Sequence, residues 1–155
     1  MSDSPFMALA LEEARNAALR SEVPVGAVLV DGATGEILAQ AGNEVEARAD
    51  PTAHAEILVL RAAAARAGSP RLPNVDLYVT LEPCPMCATA ISFARLRRVY
   101  FGAYDPKSGG VEQGPRVFQQ PTCHHAPEIY GGVREQDSAD LLQKFFSARR
   151  KNHHC

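Results

Sequence analysis

Hydrophobic and polar positions recur along this chain with two different periods, and the changes of period mark its elements. Ser4 and Pro5 open a helical stretch running to about Arg20, with Phe6, Ala10, Ala14 and Ala17 on one stripe. "VGAVLV" and "EILAQAGN" then read as two strands around the turn "DGATG", a β-hairpin. In "DPTAHAEILVL", residues 50–60, Asp50 or Thr52 offers a helix cap, Pro51 suits a first helical position, and an apolar run continues to near Gly68. "DLYVT" is a short buried strand, "CPMCATAISFAR" a helix and "RVYFGA" another strand. Residues 104–127 show no period and hold several Gly and Pro, a longer loop than an idle connection needs. "APEIY" reads as a last strand. Asp137 or Ser138 caps a final helix with Leu141, Leu142, Phe145 and Ala148 on its inner side. Strands alternating with helices imply an α/β layered sheet, with an antiparallel hairpin at its start.

Composition narrows the setting. At 155 residues the chain reads as one domain over residues 1–150, followed by a disordered tail at 151–155. It shows no internal repeat, low-complexity tract or linker. The start, "MSDSPFMALALEEARNAALR", has neither a basic leader nor a long apolar core, so it reads as a helix and not as a signal peptide. No apolar run approaches the roughly 18 residues of a membrane span. Four cysteines, two of them in C-x-x-C, fit a reducing cytoplasm and metal or redox work better than a disulfide scaffold. The net charge of -2 hides an asymmetry: residues 1–90 carry 6 Lys/Arg against 12 Asp/Glu, residues 91–155 carry 10 against 6. Arg95, Arg97 and Arg98 form one basic group, and Arg149, Arg150 and Lys151 another. Either solubility and helix-end electrostatics or a phosphate-binding rim accounts for them, and charge alone favours the former.

The first chemistry lies in "TAHAE". His54 and Glu56 stand among small residues that would pack well without them, just after the second strand. Cys84 and Cys87 stand just after the third, in "LEPCPMC". If those two strands are parallel neighbours, both helices start at the carboxyl ends of the strands, where open α/β sheets hold ligands. One imidazole and two thiolates would then converge, with the helix dipole favouring the thiolate forms. Three protein ligands leave a tetrahedral zinc one open position, and water there acquires a pKa near about 7. Glu56 is then the proton carrier. One geometric objection stands: on an ideal helix, positions i and i+2 point roughly 200° apart, so His54 belongs in an irregular first turn.

"HAE" followed by "PCPMC" also matches the H-x-E…P-C-x-x-C signature of zinc nucleobase deaminases. With "EVPVGAVLV", "LYVTLEPCPMC", "FGAYDPKSGG" and the closing "LLQKFFSARR", the chain resembles the bacterial tRNA-specific adenosine deaminase family over roughly residues 5 to 150. The resemblance implies a three-layer cytidine-deaminase-like fold, a central mixed sheet of about five strands with helices on both faces. It implies one Zn2+ per chain on His54, Cys84 and Cys87, with Glu56 shuttling protons. It implies a homodimer paired through the apolar helix "MCATAISFARL". The reaction implied is hydrolytic conversion of adenosine to inosine at the wobble position of a tRNA anticodon. Asn43 matches the family residue that hydrogen-bonds the flipped base. Asp105 and Lys107 match its nucleotide-facing loop. Phe146, Arg149 and Arg150 match the last-helix residues that face the anticodon loop.

Plainer readings stand beside these. C-x-x-C alone serves redox pairs and structural zinc sites too. Asn43 at a strand end is a common turn former. Asp105 could cap a turn before Pro106, and Phe146 lies beside the core stripe of Phe145. "CHH" at 123–125 offers adjacent residues that chelate poorly and reads as loop. Two other functions share the motifs: deamination of a free base or nucleotide, guanine or deoxycytidylate, and a zinc-stabilised RNA-binding subunit without catalysis. The basic C-terminal portion speaks against the first, and the presence of Glu56 against the second.

Overall fold

Helix α1, Pro5–Leu19, starts where the sequence places it: Ser4 is the N-cap, its Oγ accepting from the Phe6 amide at 3.2 Å. The computed structural model describes residues 4–152. Strands β1 (Gly26–Asp31) and β2 (Ile37–Gly42) form the hairpin, closed by Asp31, whose Oδ1 accepts from the Ala33 and Thr34 amides. A short helix that the periodicity does not reveal, α2 (Val45–Arg48), leads to α3 (Ala55–Ala67), which ends at Gly68 in the left-handed conformation. Strand β3 (Val75–Leu81), α4 (Pro85–Ala94), β4 (Arg98–Ala103), β5 (Glu128–Tyr130) and α5 (Glu135–Asn152) complete the chain.

The five strands lie in the order β2-β1-β3-β4-β5. Strand β1 is antiparallel to both β2 and β3, whereas β4 is parallel to β3 and β5. The second and third strands are therefore parallel but not neighbours, because β1 lies between them. That corrects the adjacency assumed from sequence while preserving its consequence. Gly26 at the start of β1 pairs with Gly42 at the end of β2, and Ala27 pairs with Val79 near the end of β3. The carboxyl ends of β2, β3 and β4 thus share one edge of the sheet, and α3 and α4 both start there.

Alternation along the strands builds two cores. Ala27, Leu29, Leu77, Val79, Val99 and Phe101 pack with Val59, Ala63 and Ile91 of α3 and α4. Val28, Val30 and Tyr100 face the opposite way, onto Met7, Ala10 and Leu11 of α1. Each fully buried aliphatic side chain contributes about 1.5–3 kcal/mol of transfer free energy. Helices on both faces of a mixed five-stranded sheet are the three-layer architecture expected from the sequence.

Three local expectations need correction. Neither Asp50 nor Thr52 caps α3; Asp50 instead accepts from the Thr52 amide and hydroxyl, making a turn ahead of a helix whose N-cap is His54. Helix α5 begins at Glu135, before Asp137 and Ser138, and Ser138 is buried against Gly102. Ala148 is exposed, so the inner stripe of α5 ends with Phe145. Helix α5 runs to Asn152, and residues 153–155 of the tail expected at 151–155 lie outside the described residues. Among the described residues no helix is long and apolar enough to cross a membrane.

Candidate active site

The backbone around His54 resolves the geometric objection raised by its spacing from Glu56. His54 is extended, with φ -70° and ψ 151°, and only Ala55 onward is helical. Glu56 occupies the first turn, so the two side chains are not bound by helical periodicity and both reach the same cavity. Cys84 repeats the arrangement: it is the extended N-cap of α4, and Cys87 lies in the first turn. The first cysteine therefore reaches the site from the cap.

The Nδ1 atom of His54 lies 3.7 Å from Cys84 Sγ and 3.5 Å from Cys87 Sγ. Tetrahedral zinc, with bonds of about 2.3 Å to sulfur and 2.0–2.1 Å to nitrogen, spaces its donors about 3.5–3.8 Å apart. The donor set and its spacing fit one zinc ion. All three donor atoms lie within 4.8 Å of one another, and no other such group exists among the described residues. His54 and Cys84 are half-buried and Cys87 is buried, so the donor set opens to solvent on one side.

Electrostatics at the site follow from burial and close polar contacts. Burial pushes the Glu56 carboxyl up to about 7. The Cys87 thiol donates to Cys84 and, with help from His54, brings Cys84 down to about 4, while Cys87 itself is raised. The Cys84 sulfur in turn raises the imidazole of His54 above its usual value. Both helix N-termini favour the thiolate forms.

A cavity of about 310 Å³ opens over these residues, lined also by Asn43, Val45, Asp105, Ser108 and Arg149. Asn43 is buried just past β2, its amide donating to Val25 O at 3.0 Å and its carbonyl accepting from Arg20 at 3.3 Å. Asp105 does cap a turn, accepting from the Lys107 and Ser108 amides, and it faces the cavity as well. Arg149 reaches the cavity from α5 with its guanidinium over the Phe145 ring, 5.2 Å from the centroid. Phe146 is 41% exposed and outside the core, while Lys107 and Arg150 are exposed nearer the surface.

The other basic group is spoken for. Arg97 holds Asp76 through two bonds, at 3.0 and 2.7 Å, and Arg98 pairs with Glu128. Both lie at the start of β4, the sheet edge away from the site. The "CHH" segment is structural: Ser92 Oγ donates to His125 O and His125 Nε2 to Leu96 O, both at 2.6 Å. Sequence reasoning missed two buried carboxylates, Glu22 and Glu82, which accept only backbone amides. An acid inside an apolar run, as in "VTLEPC", is the signal that could have flagged the second.

Residues 1–103 match the family model for the cytidine and deoxycytidylate deaminase zinc-binding region. A tRNA-specific adenosine deaminase of Agrobacterium fabrum is 59% identical over 145 residues, 94% of each chain. The one from Bacillus subtilis is 43% identical over 149 residues, 96% of this chain and 91% of that protein. A solved structure from studies of A-to-I editing by tRNA:A34 deaminases at the wobble position of transfer RNA superposes with a TM-score of 0.86 at 60% identity, covering 88% of this chain and 98% of that one. With a zinc-fitting His-Cys-Cys set, an adjacent buried glutamate and these relatives, the chain belongs to the cytidine and deoxycytidylate deaminase zinc-binding family, and within it to the tRNA-specific adenosine deaminases.

Proposed function

We propose that this protein is a zinc-dependent hydrolytic deaminase that converts adenosine to inosine at the wobble position of a tRNA anticodon, acting in the cytoplasm as a homodimer. The observation that carries the reading is the placement of Glu56 beside the His54–Cys84–Cys87 donor set on the floor of one small cavity. His54, Cys84 and Cys87 would hold one zinc ion, which would lower the pKa of a water to about 7 and so supply a nucleophile at neutral pH.

Glu56 accepts a proton from the attacking water and returns it to the departing amine. Adenosine and water then give inosine and ammonia with no net change in protons. A cavity of about 310 Å³ is at the small end of ligand pockets and has no room for a stacked or paired stem. The target base must therefore leave its loop to reach Glu56. Asn43 holds that base by its side-chain amide, fixed in place by the backbone bonds at both of its main-chain groups.

Lys107, Arg149 and Arg150 neutralise the flanking phosphates, with Asp105 ordering the turn that carries Lys107. Phe146 offers an exposed ring on which a neighbouring base can stack. The second copy docks on α4, where Phe93 is 67% exposed beside a groove lined by Thr89, Val117 and Thr122. The direct test is incubation with total tRNA followed by sequencing. Adenosine read as guanosine at the first anticodon position supports the assignment, and unchanged tRNA overturns it.

A further inference from the structure

Glu82 ends the third strand's segment two residues before Cys84 and is only 2% exposed. Buried carboxyl oxygens must be met by donors, and both of these are. Its Oε1 accepts from the Asp105 amide at 3.0 Å. Its Oε2 accepts from the amides of Val111, Glu112 and Gln113 at 3.1, 2.8 and 3.0 Å. All four donors belong to the long irregular loop after β4, where no strand or α-helix supplies backbone partners.

The loop is also pressed against the segment that bears the metal ligand. Gly110 N donates to Pro83 O at 2.8 Å. A Cβ on Gly110 would lie 2.6 Å from Pro85 N and 2.8 Å from the Cys84 carbonyl carbon. A Cβ on Gly109 would lie 2.6 Å from the Glu82 carboxylate itself. One side chain and two bare backbone positions therefore join the Cys84 turn to the loop that presents Asp105, Lys107 and Ser108.

We propose that Glu82 is a positioning residue for substrate: its carboxylate fixes the 105–113 loop to the zinc-ligand turn, so that the nucleotide-facing side chains keep a set distance from the reacting centre. The proposal rests on reading Asp105 and Lys107 as RNA contacts. Two acceptor oxygens are essential to the role. A glutamine of the same shape has one carbonyl oxygen and an NH2, which would face N–H groups. With that oxygen kept for the Val111–Gln113 amides, the NH2 meets the Asp105 amide and releases the turn leading to Lys107.

The test is Glu82→Gln in the full chain with zinc. KM for tRNA rises about tenfold, the effect of losing hydrogen bonds that together hold the loop. At saturating tRNA, kcat stays within about threefold of wild type, and the zinc content is unchanged. Glu82→Asp, which keeps both acceptor oxygens, recovers part of the KM. A fall in kcat at unchanged KM, tracking the folded fraction, would mean a merely structural acid and overturn the proposal.

Amide hydrogen exchange supplies a second readout that needs neither substrate nor variant. In the wild-type protein the amides of Asp105, Val111, Glu112 and Gln113 exchange as slowly as those of β4; in Glu82→Gln the Asp105 amide is freed first. Fast exchange of all four in the wild type overturns the proposal even if the variant does not fold. Wild type that fails to deaminate tRNA defeats the functional reading, while the exchange measurement still decides whether Glu82 holds the loop.

Discussion

Glu56 is the residue on which the proposed chemistry turns. Its carboxyl is buried and lifted to about 7 by loss of solvent, which suits a group that both takes and returns a proton near neutrality. Glu56→Ala should keep one zinc per chain and the fold, and lose deamination by roughly 10²–10⁴-fold or more. Metal analysis together with inosine formation checks both halves; turnover near the wild-type rate would mean another group moves the proton. Gly110 gives a second prediction at this scale. Because a methyl there meets backbone atoms of Pro85 and Cys84, which cannot swing aside, Gly110→Ala should shift the Cys84 turn. The expected outcome is faster zinc loss to a chelator with the far side of the sheet intact, read by a colorimetric zinc assay and circular dichroism.

Among the elements, α5 carries the largest change between sequence and structure. Its inner stripe was legible as far as Phe145, but only the fold shows that Arg149 extends from the last helix into the cavity over α3's first turn. Reversing Arg149 and Arg150 to Glu should raise KM for tRNA and flatten its salt dependence, by roughly 1.4 in the log–log slope if two single-strand phosphate contacts are lost. Asn43→Ala should act differently, lowering kcat at saturating tRNA without touching that slope, because base contacts set identity and phosphate contacts set salt dependence. Identical salt slopes for the charge-reversal protein and wild type would make the end of α5 an ordinary solvated helix end. The helix starts teach a related lesson. Asp50, Pro51 and Thr52 have the composition of a cap, yet the chain spends them on a turn so that His54 can take the extended cap position. Local propensity favours a cap among those residues; the ligand geometry needs it two residues later.

At the scale of the whole molecule, the two cores flank one sheet, and α4 turns Phe93 outward on the surface proposed to pair with a second copy. Phe93 is the most exposed aromatic ring of that helix, and an unpartnered ring of this size at a groove is costly to leave in water. Phe93→Arg should therefore shift the sedimentation coefficient from dimer to monomer at micromolar protein, and reduce activity on tRNA with zinc retained. An unchanged dimer in this variant would place the pairing surface elsewhere.

The sequence by itself determined the main helix and strand segments, though not α2 or the starts of α3 and α5, because a period of two or of 3.6 residues is a local property that each stretch carries alone. It also determined the metal donors and a candidate proton carrier, since residue type sets ligand chemistry and the H-x-E and C-x-x-C spacings keep these residues close. Only the tertiary structure decided that β1 lies between the second and third strands, because strand order depends on pairing between segments distant in sequence, and every inward face of this sheet is equally apolar. Only it disclosed the work of Glu22 and Glu82, whose partners lie 24–25 and 23–31 residues away. A carboxylate bonded to distant backbone amides leaves no periodic trace, for its partners are chosen by where the chain returns and not by what their side chains are.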